Sequence, residues 1–257
     1  MNGPSPVKVW LDRGGRLLRL RLSRPKANIL DAAMVGALDR ALEEHLGHAN
    51  LAAVLIDAEG PHFSFGASVE EHLPEHCAAM LAGFHRLILR LVEAPVPVLV
   101  AVRGQCLGGG LELASAGHLL FLAPDAKLGQ PEIQLGVFAP AASCLLPERI
   151  ARVHAEDLLF SGRSIGAEEA ARIGLASAVA DDPEAATLAY FDTQLAPRSA
   201  LSLRFAVRAA REGFAAAIRT RLAAVEALYL KELMASRDAV EGLSAFLAKR
   251  PAQWENR

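Results

Sequence analysis

The run Gly108-Gly109-Gly110-Leu111-Glu112 constrains this chain most, because it follows closely on the apolar stretch Val98–Val102 and opens a second apolar segment. Three glycines at the start of a helix let something come close to the backbone. They also leave free amide donors at the positive end of the helix. A second acid, Glu132, follows in Gly129-Gln130-Pro131-Glu132. Two carboxyls brought to one place supply an acid and a base for moving protons. Donors for a developing oxyanion beside them point to chemistry at the carbon next to a carbonyl. Taken alone, the triplet is better explained by tight helix–strand packing, and each acid by a solvated surface position.

The segments 8–11 and 16–22 are β-rich and flank Gly14-Gly15, which predicts a hairpin. Asp31 is placed to cap a helix carrying Met34, Val35, Leu38 and Leu42 on one face. A buried strand is predicted over 51–57, a loop over 62–69 and a helix over 75–91. A strand over Val98–Val102, a helix over Gly109–Ala116 and a strand over 119–123 follow. Such alternation implies βαβ units with parallel strands. From Ala139 the pattern is almost wholly helical, over 151–160, 167–173, 183–195, 200–211, 214–234 and 237–247. A helical tail of that size calls for a neighbouring copy to cover it, so an oligomer is expected.

The formal net charge of −2, with acids interleaved among the arginines, gives no footprint for nucleic acid. No charged-then-apolar leader opens the chain and no apolar run is long enough for a bilayer, so neither a membrane partner nor secretion is expected. Cys77, Cys106 and Cys144 are scattered without pairing or metal spacing, which suits reduced thiols in a cytoplasmic protein. Cys106 and Cys144 are read as small hydrophobes. His72 and His76 have helical zinc spacing, but Pro74 separates them and no Glu follows His72. With His62 and His85 they are read as loop and surface histidines, and no metal is expected. Ser68, Ser115 and Ser143 lack a nucleophile elbow, and no dinucleotide fingerprint or P-loop lysine occurs.

Five segments in order resemble the crotonase, or enoyl-CoA hydratase/isomerase, superfamily. They are Arg24-Pro25-Lys26-Ala27-Asn28, Phe63-Ser64-Phe65-Gly66-Ala67-Ser68, Gly104-Gln105-Cys106-Leu107-Gly108-Gly109-Gly110-Leu111-Glu112, Lys127-Leu128-Gly129-Gln130-Pro131-Glu132, and Glu241-Gly242-Leu243-Ser244-Ala245-Phe246-Leu247-Ala248-Lys249-Arg250. The resemblance implies an α/β fold: a ββα spiral core, here 1–195, and a helical C-terminal trimerisation region, here 196–257. It also implies a homo-oligomer, a trimer or a dimer of trimers, and an acyl-CoA substrate with no metal or redox cofactor.

Carried over by position, the resemblance implies that the amides of Ala67 and Gly109 hold the thioester oxygen. Glu112 and Glu132 match the two acids that family hydratases use to add water to a carbon–carbon double bond. Keeping both argues for hydration. Gly108 and Pro131 flank these groups on the substrate-binding turns. Arg24 and Lys26 match the phosphate-facing start of the CoA site, Ala27 the backbone along the pantetheine arm, and Lys249 a lysine at the nucleotide end. A plain exposed charge explains either lysine as well. The chain departs from the family at Ser68, where an acid is usual, and at 135–144, where a glycine-rich helix start is usual. Phe65, Phe138 and Pro140 would narrow or flatten the acyl pocket. The stretch 63–81 is most similar to hydratases of cyclohexa-1,5-diene-1-carbonyl-CoA, from anaerobic benzoyl-CoA breakdown. A straight-chain 2-enoyl-CoA hydratase and a non-catalytic or RNA-binding relative are the alternatives.

Overall fold

The computed structural model describes residues 5–257, so the first four residues of the predicted core lie outside the described residues. β1 (Val7–Asp12) and β2 (Leu17–Leu22) pair antiparallel as the expected hairpin. α1 (Ala32–His45) begins at Asp31, whose side chain accepts from the Met34 amide at 2.8 Å and satisfies one of the free donors of the first turn. β3 (Ala53–Ala58), α2 (Cys77–Val92), β4 (Val98–Val102), β5 (Gln105–Leu107), α3 (Gly109–Ala116) and β6 (Leu119–Leu122) follow.

Next come β7 (Lys127–Gly129), a 3-10 turn at Pro131–Leu135, α4 (Pro140–Arg149), α5 (Arg152–Ser161), β8 (Ser164–Gly166) and α6 (Ala167–Arg172). β9 (Ala178–Val179), α7 (Pro183–Tyr190) with a π turn at Phe191–Leu195, α8 (Ala200–Lys231) and α9 (Arg237–Leu247) complete the order. One sheet runs β1-β2-β3-β4-β6-β9 and is parallel from β2 onward; a second runs β5-β7-β8.

Alternation along the main strands sorts the core into two layers. Leu18, Leu20, Leu22, Val54, Ile56, Val98, Val100 and Val102 face the cluster shared with α1–α5. Leu17, Leu55, Leu99 and Phe121 face Phe191 and Leu195 on the other side. Each such side chain contributes about 1.5–3 kcal/mol when fully buried. A strand covered on both faces reads as a continuous apolar run, which is why Val98–Val102 is legible to the residue.

Several elements depart from expectation. Helix α8 runs unbroken through Gly213, where a boundary between 211 and 214 is predicted. A Cβ at Gly213 would meet nothing within 4 Å, so the glycine is only a local weakness of about 1 kcal/mol in a long helix rich in Ala and Arg. α4 is unpredicted because Pro147 lies inside it. Pro147 cannot donate to the Ser143 carbonyl, which accepts instead from the Arg221 guanidinium at 3.3 Å. β5, β7, β8 and β9 are two or three residues long, too short for a pattern of alternation. The predicted boundary at 195/196 falls between the π turn and α8, and α8 packs on both α2 and α4.

Candidate active site

Ser64 organises the first loop. Its hydroxyl donates to the Asn28 carbonyl at 2.8 Å and accepts from the Gly66 amide at 3.0 Å. The loop is stitched to β5 by Ser64 N–H to Gln105 O and Leu107 N–H to Ser64 O, both at 3.0 Å. Asn28, also buried, accepts from the Arg24 amide and donates to the Glu59 and His62 carbonyls. Leu30 N–H takes the Gly66 carbonyl at 2.9 Å, and the Ala67 amide then follows on the cavity wall without an internal partner among the described residues.

The second loop brings Gly109 to the same place. Its amide is the first of α3, so no carbonyl of its own helix can serve it. A Cβ on Gly109 would lie 3.1 Å from the Ala67 nitrogen, and one on Gly66 would lie 3.3 Å from the Gly109 nitrogen. The two amides therefore meet across one narrow gap. Gly108 has φ 51°, and a Cβ there would lie 2.6 Å from Glu132 Oε1. The triplet thus permits close packing and sets the Gly109 amide beside that of Ala67.

Glu112 stands in the first turn of α3, buried, with Oε1 accepting from the Ala142 amide at 2.8 Å near the start of α4. Burial pushes its pKa up to about 7, against the amides of Ala142 and Ala141, which favour the charged form. Glu132 comes from the Pro131–Leu135 turn and lines the same cavity. Its pKa is raised well above 4.5, first by burial and then by the Glu112 charge. Burial pushes both carboxyls up, so that one can hold a proton for delivery while the other takes one. The side-chain amide of Gln130, buried beside them, reaches both Glu132 oxygens at 3.0 and 3.1 Å when its nitrogen faces them.

These groups line a cavity of about 810 Å³. Of the residues singled out from sequence, Ala27, Phe65, Ala67, Ser68, Gly108, Gly109, Glu112, Pro131, Glu132, Phe138 and Pro140 all stand on its wall. Arg24, Lys26 and Lys249 do not. Arg24 is paired with Asp31, whereas Lys26 and Lys249 are exposed. Ser68 Oγ donates to Glu70 at 2.9 Å. Cys77, Cys106 and Cys144 are buried free thiols.

One expectation is corrected: His85 is not a surface histidine. It is buried on α2 at the cavity wall, with Nδ1 2.5 Å from Glu226 of α8, and burial lowers its pKa. His72 also lines the cavity, its Nδ1 2.7 Å from the Ser68 carbonyl. Sequence reasoning missed Gln130, the Ala142 amide, Glu226 and Tyr229. Gln130 could have been found from its place two residues before Glu132. The others depend on contacts between distant segments and leave no local signal.

Residues 12–257 match the family described as enoyl-CoA hydratase/isomerase. The chain is 66% identical over 253 residues to a cyclohexa-1,5-dienecarbonyl-CoA hydratase of Thauera aromatica, covering 98% of each. It is 32% identical over 247 residues to a probable enoyl-CoA hydratase of Bacillus subtilis, covering 92% of this chain and 94% of that one. A crystal structure of an enoyl-CoA hydratase/isomerase from Mycobacterium paratuberculosis superposes with a TM-score of 0.86 at 22% identity. It covers 95% of this chain and 99% of that chain, a likeness of fold.

Proposed function

The chain belongs to the enoyl-CoA hydratase/isomerase family, with the crotonase fold and hydro-lyase activity its sequence implies, and from that premise we propose that it hydrates cyclohexa-1,5-diene-1-carbonyl-CoA to 6-hydroxycyclohex-1-ene-1-carbonyl-CoA. The observation that carries the reading is the pair of glutamates on the one cavity that also holds the free Ala67 and Gly109 amides. The relative at 66% identity, named for that substrate, supports the choice of a cyclic diene. So do the apolar walls at Phe65, Phe138 and Pro140.

In this mechanism the thioester oxygen accepts from Ala67 N–H and Gly109 N–H. Glu112, ionised and held by the Ala142 amide, removes a proton from water. The water oxygen bonds to the ring carbon β to the carbonyl, and the displaced electron pair moves to the thioester oxygen, giving a dienolate. Glu132, kept protonated by burial, delivers its proton to the far carbon of the second double bond. The electrons return, leaving one double bond conjugated to the thioester. Glu112 ends protonated and Glu132 ionised, and exchange with the next water resets them. A fixed pair of amides suits the developing charge because it needs no rearrangement; one such donor is worth on the order of 3 kcal/mol. The addition is redox-neutral and calls for no redox cofactor.

Arg24, Lys26 and Lys249 are proposed to meet the CoA phosphates, at the mouth or from a neighbouring subunit. A trimer or a dimer of trimers is supported by the exposed Leu201 and Phe205 of α8. A cytoplasmic location is supported by the three free thiols; among the described residues no helix is long and apolar enough to cross a membrane. The experiment is a side-by-side spectrophotometric assay of the cyclic dienoyl-CoA and crotonyl-CoA. The cyclic thioester should be the better substrate; a strong preference for crotonyl-CoA rejects the assignment in favour of a straight-chain hydratase.

A further inference from the structure

Tyr229 of α8 is a buried aromatic that this chemistry does not use. Its ring stands edge-on to Phe138, with centroids 5.1 Å apart and planes at 69°. Phe138 lines the cavity, and Tyr229 lies behind it. Leu81, Val137 and Leu243 line the same end and pack in one apolar cluster with Tyr229. Phe138 is therefore the visible layer of a two-layer wall. It cannot swing back without displacing a ring from a filled core, where close packing resists even small intrusions. The wall also stands near the acids, because the charges of Glu132 and Glu112 contribute, after burial and Cys77, to pushing the Tyr229 phenol pKa up.

We propose that Tyr229 is a positioning residue which, by holding Phe138 in place, closes the acyl end of the cavity and restricts it to compact cyclic acyl groups. The inference rests on the assignment of the acyl group to this cavity and deepens it: a six-membered ring ends at the wall, whereas an extended chain runs into Phe138. Nothing in the sequence near residue 229 signals this role, since the partner is ninety-one positions earlier.

The test uses unreactive saturated thioesters, so that it does not depend on turnover. Binding of cyclohexanecarbonyl-, hexanoyl-, octanoyl- and decanoyl-CoA is measured by calorimetry with the full-length protein. The wild type should bind the ring thioester and lose about 10-fold or more towards decanoyl-CoA, the scale on which a filled pocket rejects extra methylenes. Tyr229→Ala should recover decanoyl-CoA binding by about 10-fold, while Tyr229→Phe, which keeps the ring, retains the wild-type order. Equal weakening of all four ligands in Tyr229→Ala would mark a general structural role and overturn the proposal. If Tyr229→Ala does not fold, the wild-type series decides, and decanoyl-CoA binding as tightly as the ring overturns it. Failure of the hydratase assignment shows instead in the turnover assay, with this binding order untouched.

Discussion

The amide of Ala142 donates to Glu112 Oε1 at 2.8 Å, so the start of α4 holds a carboxyl that belongs to α3. The contact favours the ionised form, while burial opposes it more strongly and leaves Glu112 near neutrality. Glu132 is pushed the same way, first by burial and then by the Glu112 charge, against its own backbone amide.

Replacing Glu112 or Glu132 by Gln should reduce turnover of the cyclic dienoyl-CoA by about 100-fold or more, the usual scale for a proton-transfer group. Binding of cyclohexanecarbonyl-CoA should be retained. Steady-state kinetics with calorimetry separates the two effects, and near-normal turnover in both variants ends the mechanism.

The same carboxyl should tilt stability with pH. Glu112 has its pKa raised from 4.5 to about 7, so between those values the native state holds a proton that the unfolded chain has released. Stability is then fully present below about 4.5 and falls as pH rises through 7, by about 3 kcal/mol. Glu132 adds to the same slope, its shift being of the same sign. Denaturant unfolding at pH 5, 6 and 7 should show this decline in the wild type and a weaker one in Glu112→Gln. Activity should move the opposite way, rising through about 7 as the proposed base ionises.

Gly108→Ala should damage both fold and activity. Its φ of 51° disfavours any side chain, at about 1–3 kcal/mol. The new methyl would also start 2.6 Å from Glu132 Oε1. A lower Tm with turnover reduced at least 10-fold is the expected outcome; wild-type turnover would show that the Glu132 carboxyl can move freely.

Arg149→Met tests what anchors α3. The Arg149 guanidinium donates to the Ser115, Gly117 and His118 carbonyls at 3.0, 2.6 and 3.3 Å, at the end of α3 away from Glu112. Losing a buried charged donor that serves three acceptors should cost about 2–4 kcal/mol, measured by urea unfolding. A loss under 1 kcal/mol would mean that Arg211, which donates to the Ala116 and Gly117 carbonyls, suffices alone.

Much of this molecule is written locally in its sequence. The Asp31 cap, the β4 run and the Gly108–Gly110 turn each carry their reason within a few residues. The acids Glu112 and Glu132 were legible as a pair only through resemblance, because either alone looks like surface. His85 misled because it groups in sequence with the loop histidines His62, His72 and His76; its burial comes from the packing of α2 on α8, where it meets Glu226, 141 positions away. Gly213 misled in the other direction, since a helix packed on two others tolerates a weak link that an isolated helix would not.

Helix α9 supplies Leu243 and Phe246 to the cavity wall, more than a hundred positions after Glu132. During synthesis the sheet, the glycine turn and both acids all leave the ribosome before this panel does. A nascent chain stalled before residue 237 would hold an unfinished chamber open to solvent, so the chamber closes only once α9 has been made.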